Sequence, residues 1–194
     1  MVISHEYKFI YLPIPKTASR SIRTALKKYG AVTIAYGNCP KWQVNHQMVT
    51  PEEFSDYLTF ASVRNPFRRA LSTYLYNQQT PRNQFHRESL RCNFTEFLQS
   101  FWPSIGSQVE MLAGLRVEHY VYWERDIQSQ LKRILPFITT LELPRANAVA
   151  YPIPWQEFYN QKAVQIVQEQ AAKDFDVLGY SKLLEESNSV LGPV

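Results

Sequence analysis

The chain of 194 residues carries 21 lysines and arginines against 17 aspartates and glutamates, which gives a formal net charge of +4. Its hydrophobic content of 45% and aromatic content of 14% are typical of a globular protein and exclude an intrinsically disordered chain. The positive charge suits anionic ligands, but it is not concentrated in a basic tail, so no nucleic-acid partner is predicted. The length predicts a single domain over residues 1–194.

The N-terminal part of the sequence predicts a strand, a turn and a helix in succession. Phe9–Leu12 is an apolar, β-favouring run, and the apolar residues from Ile22 onwards recur at intervals of three and four. The turn between them contains prolines and Lys16. A helix that begins near Ser19 would offer unpaired backbone N–H groups, and Lys16 would add an ammonium. Such a turn is where α/β proteins bind phosphate groups.

The turn Pro15–Ser21, with the sequence Pro-Lys-Thr-Ala-Ser-Arg-Ser, is similar to a Walker A loop but departs from it. A Walker A loop has the pattern G-x-x-x-x-G-K-[ST]. The chain keeps the Lys16–Thr17 pair and lacks both glycines, which disfavours a nucleoside triphosphate site. Taken alone, the turn is equally compatible with an ordinary surface connection.

A second segment repeats the pattern of an apolar strand that leads into a helix. The strand begins at Leu58, Asn65 is a good N-cap, and Pro66 suits the first helical position. Arg64 then lies at the carboxyl end of this strand, and Ser72 lies on the following helix. In a parallel sheet the carboxyl ends of both strands meet at the edge where α/β proteins bind ligands.

Together these segments resemble the donor-binding motifs of sulfotransferases. Pro15–Ser21 resembles their 5′-phosphosulfate loop, and Arg64–Arg69 with Ser72 resembles their 3′-phosphate motif. The similarity is greatest to carbohydrate sulfotransferases of the heparan 2-O and HNK-1 type, including short bacterial members. Further similarity lies in Glu118–Glu124, in Leu143–Pro144 with Asn147, and in Lys173–Tyr180. The resemblance implies an α/β, P-loop-like three-layer fold with a central, mainly parallel sheet flanked by helices.

The resemblance also implies the donor, 3′-phosphoadenosine 5′-phosphosulfate (PAPS), with adenosine 3′,5′-bisphosphate (PAP) as product and no metal requirement. The donor-binding residues that it implies are Pro15, Lys16, Thr17, Ala18, Ser19, Arg20, Ser21, Arg64 and Ser72. Among these, Arg64 and Ser72 would bind the 3′-phosphate, and the loop residues would bind the 5′ group. Arg20 departs from the family pattern, which often has a small or hydroxyl residue there, and predicts a more cationic loop.

Two residues are predicted to be catalytic. Lys16 would neutralise charge on the leaving oxygen. By similarity to the carbohydrate enzymes, His46 would be the base, and an imidazole with an ordinary pKa near 6.5 suits that task. A solvated loop histidine is the alternative interpretation of His46. His86 is the second candidate base, and Glu52 or Glu53 would act if His46 points away.

Residues 77–107 form a predicted helical insert on the acceptor side. Phe94, Phe97, Leu98 and Phe101 follow helical spacing. The insert also contains Arg82, Arg87 and Arg91, which would meet an anionic sugar, while an aromatic ring would pack on its apolar face. The alternative is that the aromatic residues pack in the core and the arginines are simply solvated.

The C-terminal half predicts one more strand and further helices. Val117–Val121 favours a strand, Glu124–Leu135 a helix, and Gln156–Phe175 a helix that Gly179 stops. Glu124 either braces the site, as the resemblance implies, or is simply an acid at a helix N-terminus. Residues 185–194 are predicted to be a flexible tail.

Cysteine content and hydropathy bear on the cellular compartment. Cys39 and Cys92 are far apart and predict neither zinc nor a disulfide framework, so they are interpreted as reduced thiols, with a disulfide between them left open. No signal peptide or membrane-spanning run is found, and the chain starts at Met1. We therefore expect a cytoplasmic protein without a membrane partner, unlike the anchored Golgi members of the family.

The sequence thus predicts a sulfotransferase that uses PAPS and a hydroxyl-bearing acceptor, either a carbohydrate or a related small molecule. A small-molecule kinase with an atypical P-loop is the first alternative, and it leaves Arg64 and Ser72 without a task. A non-catalytic nucleotide-binding domain is the second. The sequence does not define the acceptor or the oligomeric state.

Overall fold

A computed structural model describes residues 1–33, 43–44, 47–48, 50–144 and 153–184, with backbone only at 43–44 and 47–48. The strands are β1 (Val2–Ser4), β2 (Phe9–Leu12), β3 (Val32–Thr33), β4 (Gln43–Val44), β5 (Gln47–Met48), β6 (Leu58–Val63) and β7 (His119–Tyr122). The helices are α1 (Ser19–Leu26), α2 (Pro66–Gln79), α3 (His86–Ser89), α4 (Phe94–Ile105), α5 (Gln108–Met111), α6 (Ile127–Ile134), α7 (Gln161–Gln170) and α8 (Ala172–Leu178). Short 3-10 turns occur at Lys27–Tyr29, Glu52–Phe54 and Trp155–Phe158.

The chain divides into two compact units. The first unit contains Met1–Val63 and Met111–Ala146, and the second contains Arg64–Glu110 and Asn147–Val194. The first unit carries the sheet, and the second is helical. The chain passes from one unit to the other directly after β6.

The sheet of the first unit has the strand order β3-β1-β2-β6-β7. The β2–β6 and β6–β7 pairs are parallel, whereas β1 is antiparallel to both β2 and β3. The predicted mixed α/β fold with a mainly parallel central sheet is therefore confirmed, with an antiparallel edge that was not predicted. The short β4–β5 pair forms a separate antiparallel ladder.

The central strands β2 and β6 are buried on both faces, and most of their side chains are apolar. All four residues of Phe9–Leu12 are fully buried, as expected for a strand inside a covered sheet. On one face, side chains of β2, β6 and β7 pack against the apolar sides of α1 and α6. This core contains Val2, Phe9, Tyr11, Ile22, Ala25, Leu26, Tyr29, Phe60, Val121, Leu131, Leu135, Ile138 and Leu141.

The predicted elements around the candidate loops are confirmed. β2 and β6 occupy the expected segments, and α1 begins at Ser19. Asn65 caps α2, since its side-chain oxygen accepts from the N–H groups of Phe67 at 2.9 Å and Arg68 at 3.3 Å. Pro66 is the first residue of that helix.

The third parallel strand and the helix after it begin later than predicted. Val117–Val121 was expected to be a strand, but β7 begins at His119. The helix was expected to start at Glu124, but α6 begins at Ile127 because the carboxylate of Asp126 accepts from the N–H of Gln128. Glu124 is therefore not the acid at the N-terminus of this helix.

The single helix predicted over Gln156–Phe175 is wrong. The chain forms a 3-10 turn, then α7, then α8, which starts after a break at Ala171. Asn160 causes the first division, because its side chain accepts from the N–H of Ala163 and so begins a new helix. Gly179 ends α8 in the left-handed conformation, with φ of 69°, as predicted.

The helix predicted within residues 77–107 is confirmed as α4. Asn93 and Glu96 form a capping box at its N-terminus. Phe94, Phe97, Leu98 and Trp102 are buried in the second unit, so core packing accounts for these side chains. Within the same segment, Arg82, Arg87 and Arg91 are exposed.

Candidate functional site

The turn between β2 and α1 presents some of its predicted side chains and buries others. Pro15 and Arg20 are exposed, and Lys16, Ala18 and Ser19 are partly exposed. Thr17, at 0% exposure, and Ser21, at 8%, are buried. The turn therefore offers Lys16, Ser19 and Arg20 to a ligand, while the side chain of Thr17 points into the first unit.

A chain of buried hydroxyl groups holds this turn from below. The hydroxyl of Thr17 donates to the carbonyl of Ile14 at 2.8 Å and lies 2.7 Å from that of Ser62, which also contacts the hydroxyl of Tyr11. Because Thr17 uses its one hydrogen on a carbonyl, Ser62 must donate to Thr17, and Tyr11 must donate to Ser62. The chain of donors thus runs from β2 through β6 into the turn.

The backbone of the turn adopts conformations that glycine normally supplies. Lys16 has φ of 71° and Ala18 has φ of 62°, and both values lie in the left-handed region. Each such residue costs about 1–2 kcal/mol relative to the right-handed conformation. Left-handed residues in such turns orient successive N–H groups toward one point and create anion-binding concavities. The missing Walker glycines have therefore not removed the curvature of the loop.

The predicted 3′-phosphate residues lie in the second unit. Arg64 is 6% exposed and Ser72 is 4% exposed, so both residues are buried. Arg64 occupies the connection between β6 and the Asn65 cap of α2. Its backbone N–H donates to the side-chain oxygen of Gln108 at 2.9 Å, and its carbonyl accepts from the side-chain nitrogen of Gln108 at 2.8 Å.

A buried carboxylate supports Gln108. Asp174, at 0% exposure, accepts from the backbone N–H groups of Gln108 and Val109, from the side-chain nitrogen of Gln108 and from the hydroxyl of Ser107. Its distances to the N–H groups of Gln108 and Val109 are both 2.9 Å. This set of bonds satisfies the carboxylate without solvent.

The last arginine of the Arg64–Arg69 motif serves the fold. Arg69 is fully buried, donates to the carbonyl of Gly106 at 2.8 Å and stacks over Trp102 at 5.3 Å from the ring centre. Burial lowers the pKa of its guanidinium from 12.5 to about 10, and the negative charge of Asp174 opposes that change. Arg69 thus stays protonated at neutral pH. Arg68 lies 4.9 Å from the ring centre of Trp155.

The candidate bases fall in different parts of the chain. His46 lies outside the described residues, as do Cys39 and Asn147. His86 is in the second unit, where its Nδ1 lies 2.8 Å from the carbonyl of Asn77 and must therefore carry the hydrogen. Glu52 and Glu53 are exposed in the 3-10 turn of the first unit. Whether any of these four side chains acts as the base remains a prediction.

Two other residues singled out in the sequence, Glu124 and Cys92, are partly buried. Glu124 is partly buried just after β7. Cys92 is a half-buried free thiol, and burial raises its pKa, which makes it a poor nucleophile.

Within the described ranges, no helix has both the length and the apolarity needed to cross a bilayer. Nor does that part of the chain group three or more histidine, cysteine or acidic side chains as metal ligands.

Sequence reasoning missed the residues that support the candidate loops. The sequence patterns give Gln108 no role, and they place Ser62 only within a strand and Asp174 only within the segment Lys173–Tyr180. Gln108 and Asp174 are 66 residues apart in the chain, and Thr17 and Ser62 are 45 apart. A buried polar residue within an apolar run, such as Ser62 in β6, is the one signal that the sequence offered.

Comparison with known proteins identifies the family. The model of the sulfotransferase family matches residues 1–130, which include both candidate loops. Comparisons with curated proteins and with solved structures gave no match. Because the match spans 130 of 194 residues, the chain belongs to the sulfotransferase family, whose members transfer sulfuryl groups.

The left-handed conformation of Ala18 predicts that glycine stabilises the fold at this position. We expect Ala18→Gly to raise the free energy of unfolding by about 1 kcal/mol in urea denaturation, because glycine adopts positive φ without strain. Ala31→Gly is the matched control, since Ala31 is not among the residues with positive φ. This substitution should lower the free energy of unfolding by up to about 1 kcal/mol. Equal destabilisation by both substitutions would contradict strain at Ala18.

The chain of hydroxyl groups predicts that removal of its central member, Ser62, lowers the stability of the fold. Ser62→Ala deletes two buried hydrogen bonds, and we expect it to lower the free energy of unfolding by about 1–3 kcal/mol. Ser104→Ala is the control: this hydroxyl is exposed and donates to the carbonyl of Phe101, so its loss should change stability by less than about 0.5 kcal/mol. Similar unfolding curves for the two variants would show that the chain of hydroxyl groups contributes nothing to stability.

Proposed function

We propose that this sulfotransferase moves the sulfuryl group of PAPS to a hydroxyl of a carbohydrate or related small molecule. The proposal rests chiefly on one observation: the family match includes a curved, lysine-bearing turn after β2 and an arginine directly after β6. PAPS carries a 5′-phosphosulfate and a separate 3′-phosphate, so it needs two groups of cationic and N–H donors.

The turn of the first unit is assigned to the 5′-phosphosulfate. Lys16 supplies the positive charge, Ser19 a hydroxyl, and the left-handed backbone at Lys16 and Ala18 directs N–H groups toward the anion. Ser21 and Thr17 are buried, so their contribution is through the backbone and through support of the turn. Arg20 is exposed and adds positive charge at the rim of the turn.

Arg64 and Ser72 of the second unit are assigned to the 3′-phosphate. A guanidinium forms two parallel charge-assisted bonds to a phosphate, which makes arginine well suited to this task. Both side chains have low exposure, and a phosphate bound there is shielded from competing water.

The position of the Thr17 hydroxyl favours this function over a kinase. In a Walker A loop the hydroxyl after the lysine binds Mg²⁺ of the nucleotide complex. Here that hydroxyl is fully buried and donates to the carbonyl of Ile14. The Lys16–Thr17 pair therefore keeps the cation of a P-loop while directing its hydroxyl inward.

Sulfuryl transfer follows the logic of in-line phosphoryl transfer. The acceptor oxygen forms a bond to sulfur as the bond from sulfur to the phosphate oxygen breaks, and negative charge develops on that leaving oxygen. Lys16 neutralises this charge. A base removes the proton of the acceptor hydroxyl, and we assign this task to His46.

The acceptor side is assigned to residues 77–107. Arg82, Arg87 and Arg91 are exposed there and are available to an anionic acceptor. The buried aromatic side chains of α4 are occupied by core packing, so recognition would depend on charge more than on stacking. A screen of labelled donor against glycans and metabolites would identify the acceptor.

Ligand preference tests the proposed donor. We expect PAP to raise the melting temperature of the protein, whereas ADP with magnesium at equal concentration should have little effect, because only PAP carries a separate 3′-phosphate. A larger shift with ADP and magnesium would favour the kinase alternative and overturn the proposal.

Two substitutions test the catalytic assignments and separate an enzyme from a non-catalytic binding domain. We expect His46→Ala to lower the transfer rate by about 10²–10⁴-fold while PAP affinity stays within about twofold of wild type. Lys16→Ala should lower the rate by about 10²–10³-fold and also weaken PAP binding.

The control for this pair is His119→Ala, which removes an exposed imidazole at the start of β7 and should retain wild-type transfer. Full activity of His46→Ala would move the base to His86, Glu52 or Glu53. Absence of transfer by the wild type across the acceptor panel, with intact PAP binding, would favour the non-catalytic alternative.

A further inference from the structure

We propose that Gln108 is a positioning residue that fixes Arg64 for recognition of the 3′-phosphate, an inference that rests on the function proposed above. The side chain of Gln108 is fully buried in the second unit. It forms hydrogen bonds with both polar groups of the Arg64 main chain, its N–H and its carbonyl, at 2.9 Å and 2.8 Å. It therefore acts on Arg64 through the backbone and has no contact of its own with the donor.

The orientation of the Gln108 amide is fixed by its partners. Its oxygen accepts from the Arg64 N–H, and its nitrogen donates both to the Arg64 carbonyl and to Asp174, at 3.1 Å. The reverse orientation would set the amide NH₂ against an N–H and the amide oxygen against a carboxylate. Because both hydrogens and the oxygen are used, the amide has one satisfied position.

Asp174 makes this position rigid. Besides the Gln108 side chain, the carboxylate accepts from the N–H groups of Gln108 and Val109 and from the Ser107 hydroxyl. The backbone that carries Gln108 is thus anchored by the same group that anchors its side chain. A fully satisfied buried network of this kind favours a single geometry.

The place of Arg64 in the chain gives this support its importance. Arg64 lies between the last residue of β6 and the Asn65 cap of α2, where one element has ended and the next has not begun. Gln108 bonds both polar groups of its main chain there. A ligand-binding side chain must be held within about 0.5 Å of its productive position, and fixing the backbone beneath it is one way to achieve this.

This role predicts that loss of Gln108 affects recognition of the 3′-phosphate and not of the 5′ group. If Gln108 acts through Arg64, its loss should weaken binding of ligands that carry a 3′-phosphate and spare those that lack it. A role in folding alone would lower the melting temperature and leave the preference for the 3′-phosphate intact.

The experiment compares Gln108→Met with wild type by calorimetric titration with PAP and with adenosine 5′-phosphate. Methionine keeps the length and volume of glutamine and removes its hydrogen bonds. We expect PAP affinity to fall at least tenfold and adenosine 5′-phosphate affinity to stay within twofold. In Arg64→Ala, where the target is absent, adding Gln108→Met should cause no further loss of PAP affinity.

The chain offers a matched control in the first unit. Gln130 holds Tyr122 as Gln108 holds Arg64: its side-chain oxygen accepts from the Tyr122 N–H at 2.8 Å, and its nitrogen donates to the Tyr122 carbonyl at 2.9 Å. Gln130→Met therefore removes an equivalent pair of hydrogen bonds. It should lower the melting temperature yet keep the wild-type ratio of the two affinities.

Two outcomes would overturn the inference. The first is an unchanged ratio of the two affinities in Gln108→Met, whether neither affinity falls or both fall equally. This result would show that Gln108 only stabilises the fold. If wild type itself shows no preference for PAP, the proposed function fails, and this inference fails with it; that result is read on wild type alone. Should Gln108→Met not fold, Gln108→Asn retains a shorter amide and should still lose several-fold in PAP affinity alone.

Discussion

The parallel pairing of β2 with β6 is the constraint on which the candidate site depends. Leu12 is paired with Ala61 in this ladder, so both strands end within two residues of each other at one edge of the sheet. The turn that carries Lys16 begins at the end of β2, and the residue bonded to the last position of β6 is Arg64. An antiparallel pairing would send the two chain exits to opposite edges. Strand direction therefore determines the edge of the sheet at which β2 and β6 both end.

Buried polar side chains, rather than glycines, determine the shape of each candidate loop. In the first unit, the hydroxyl groups of Tyr11, Ser62 and Thr17 hold a turn in which two non-glycine residues have positive φ. In the second unit, Gln108 and Asp174 hold the main chain of Arg64. Strain of this kind persists only where the surroundings impose it. Each network supplies that constraint within its own unit.

The sequence predicted the local elements and the mainly parallel central sheet, but it did not predict the hydrogen bonds between distant polar side chains. β2, β6 and the start of α2 follow from apolar runs and from an Asn-Pro cap, which are local properties. The three residues of β1 are too few to form a recognisable pattern, and the caps at Asp126 and Asn160 override the apolar periodicity that predicted longer helices. The pairing of Gln108 with Asp174 depends on how the second unit packs, and no local pattern encodes it.

A family motif therefore combines residues of two kinds, and burial separates them. Thr17 and Arg69 belong to the two segments that resemble the donor-binding motifs, yet both side chains are fully buried and bonded within their own units. Lys16 and Arg20 remain accessible in the same turn. The resemblance implies that Thr17, Lys16 and Arg20 bind the donor, and it places Arg69 in the 3′-phosphate motif without a role. The hydrogen bonds indicate that Thr17 and Arg69 serve the fold instead: Thr17 holds its turn through Ile14 and Ser62, and Arg69 holds the carbonyl of Gly106. If Lys16 and Arg64 bind the donor as proposed, inward-facing residues of the same segments act on it through geometry rather than through contact.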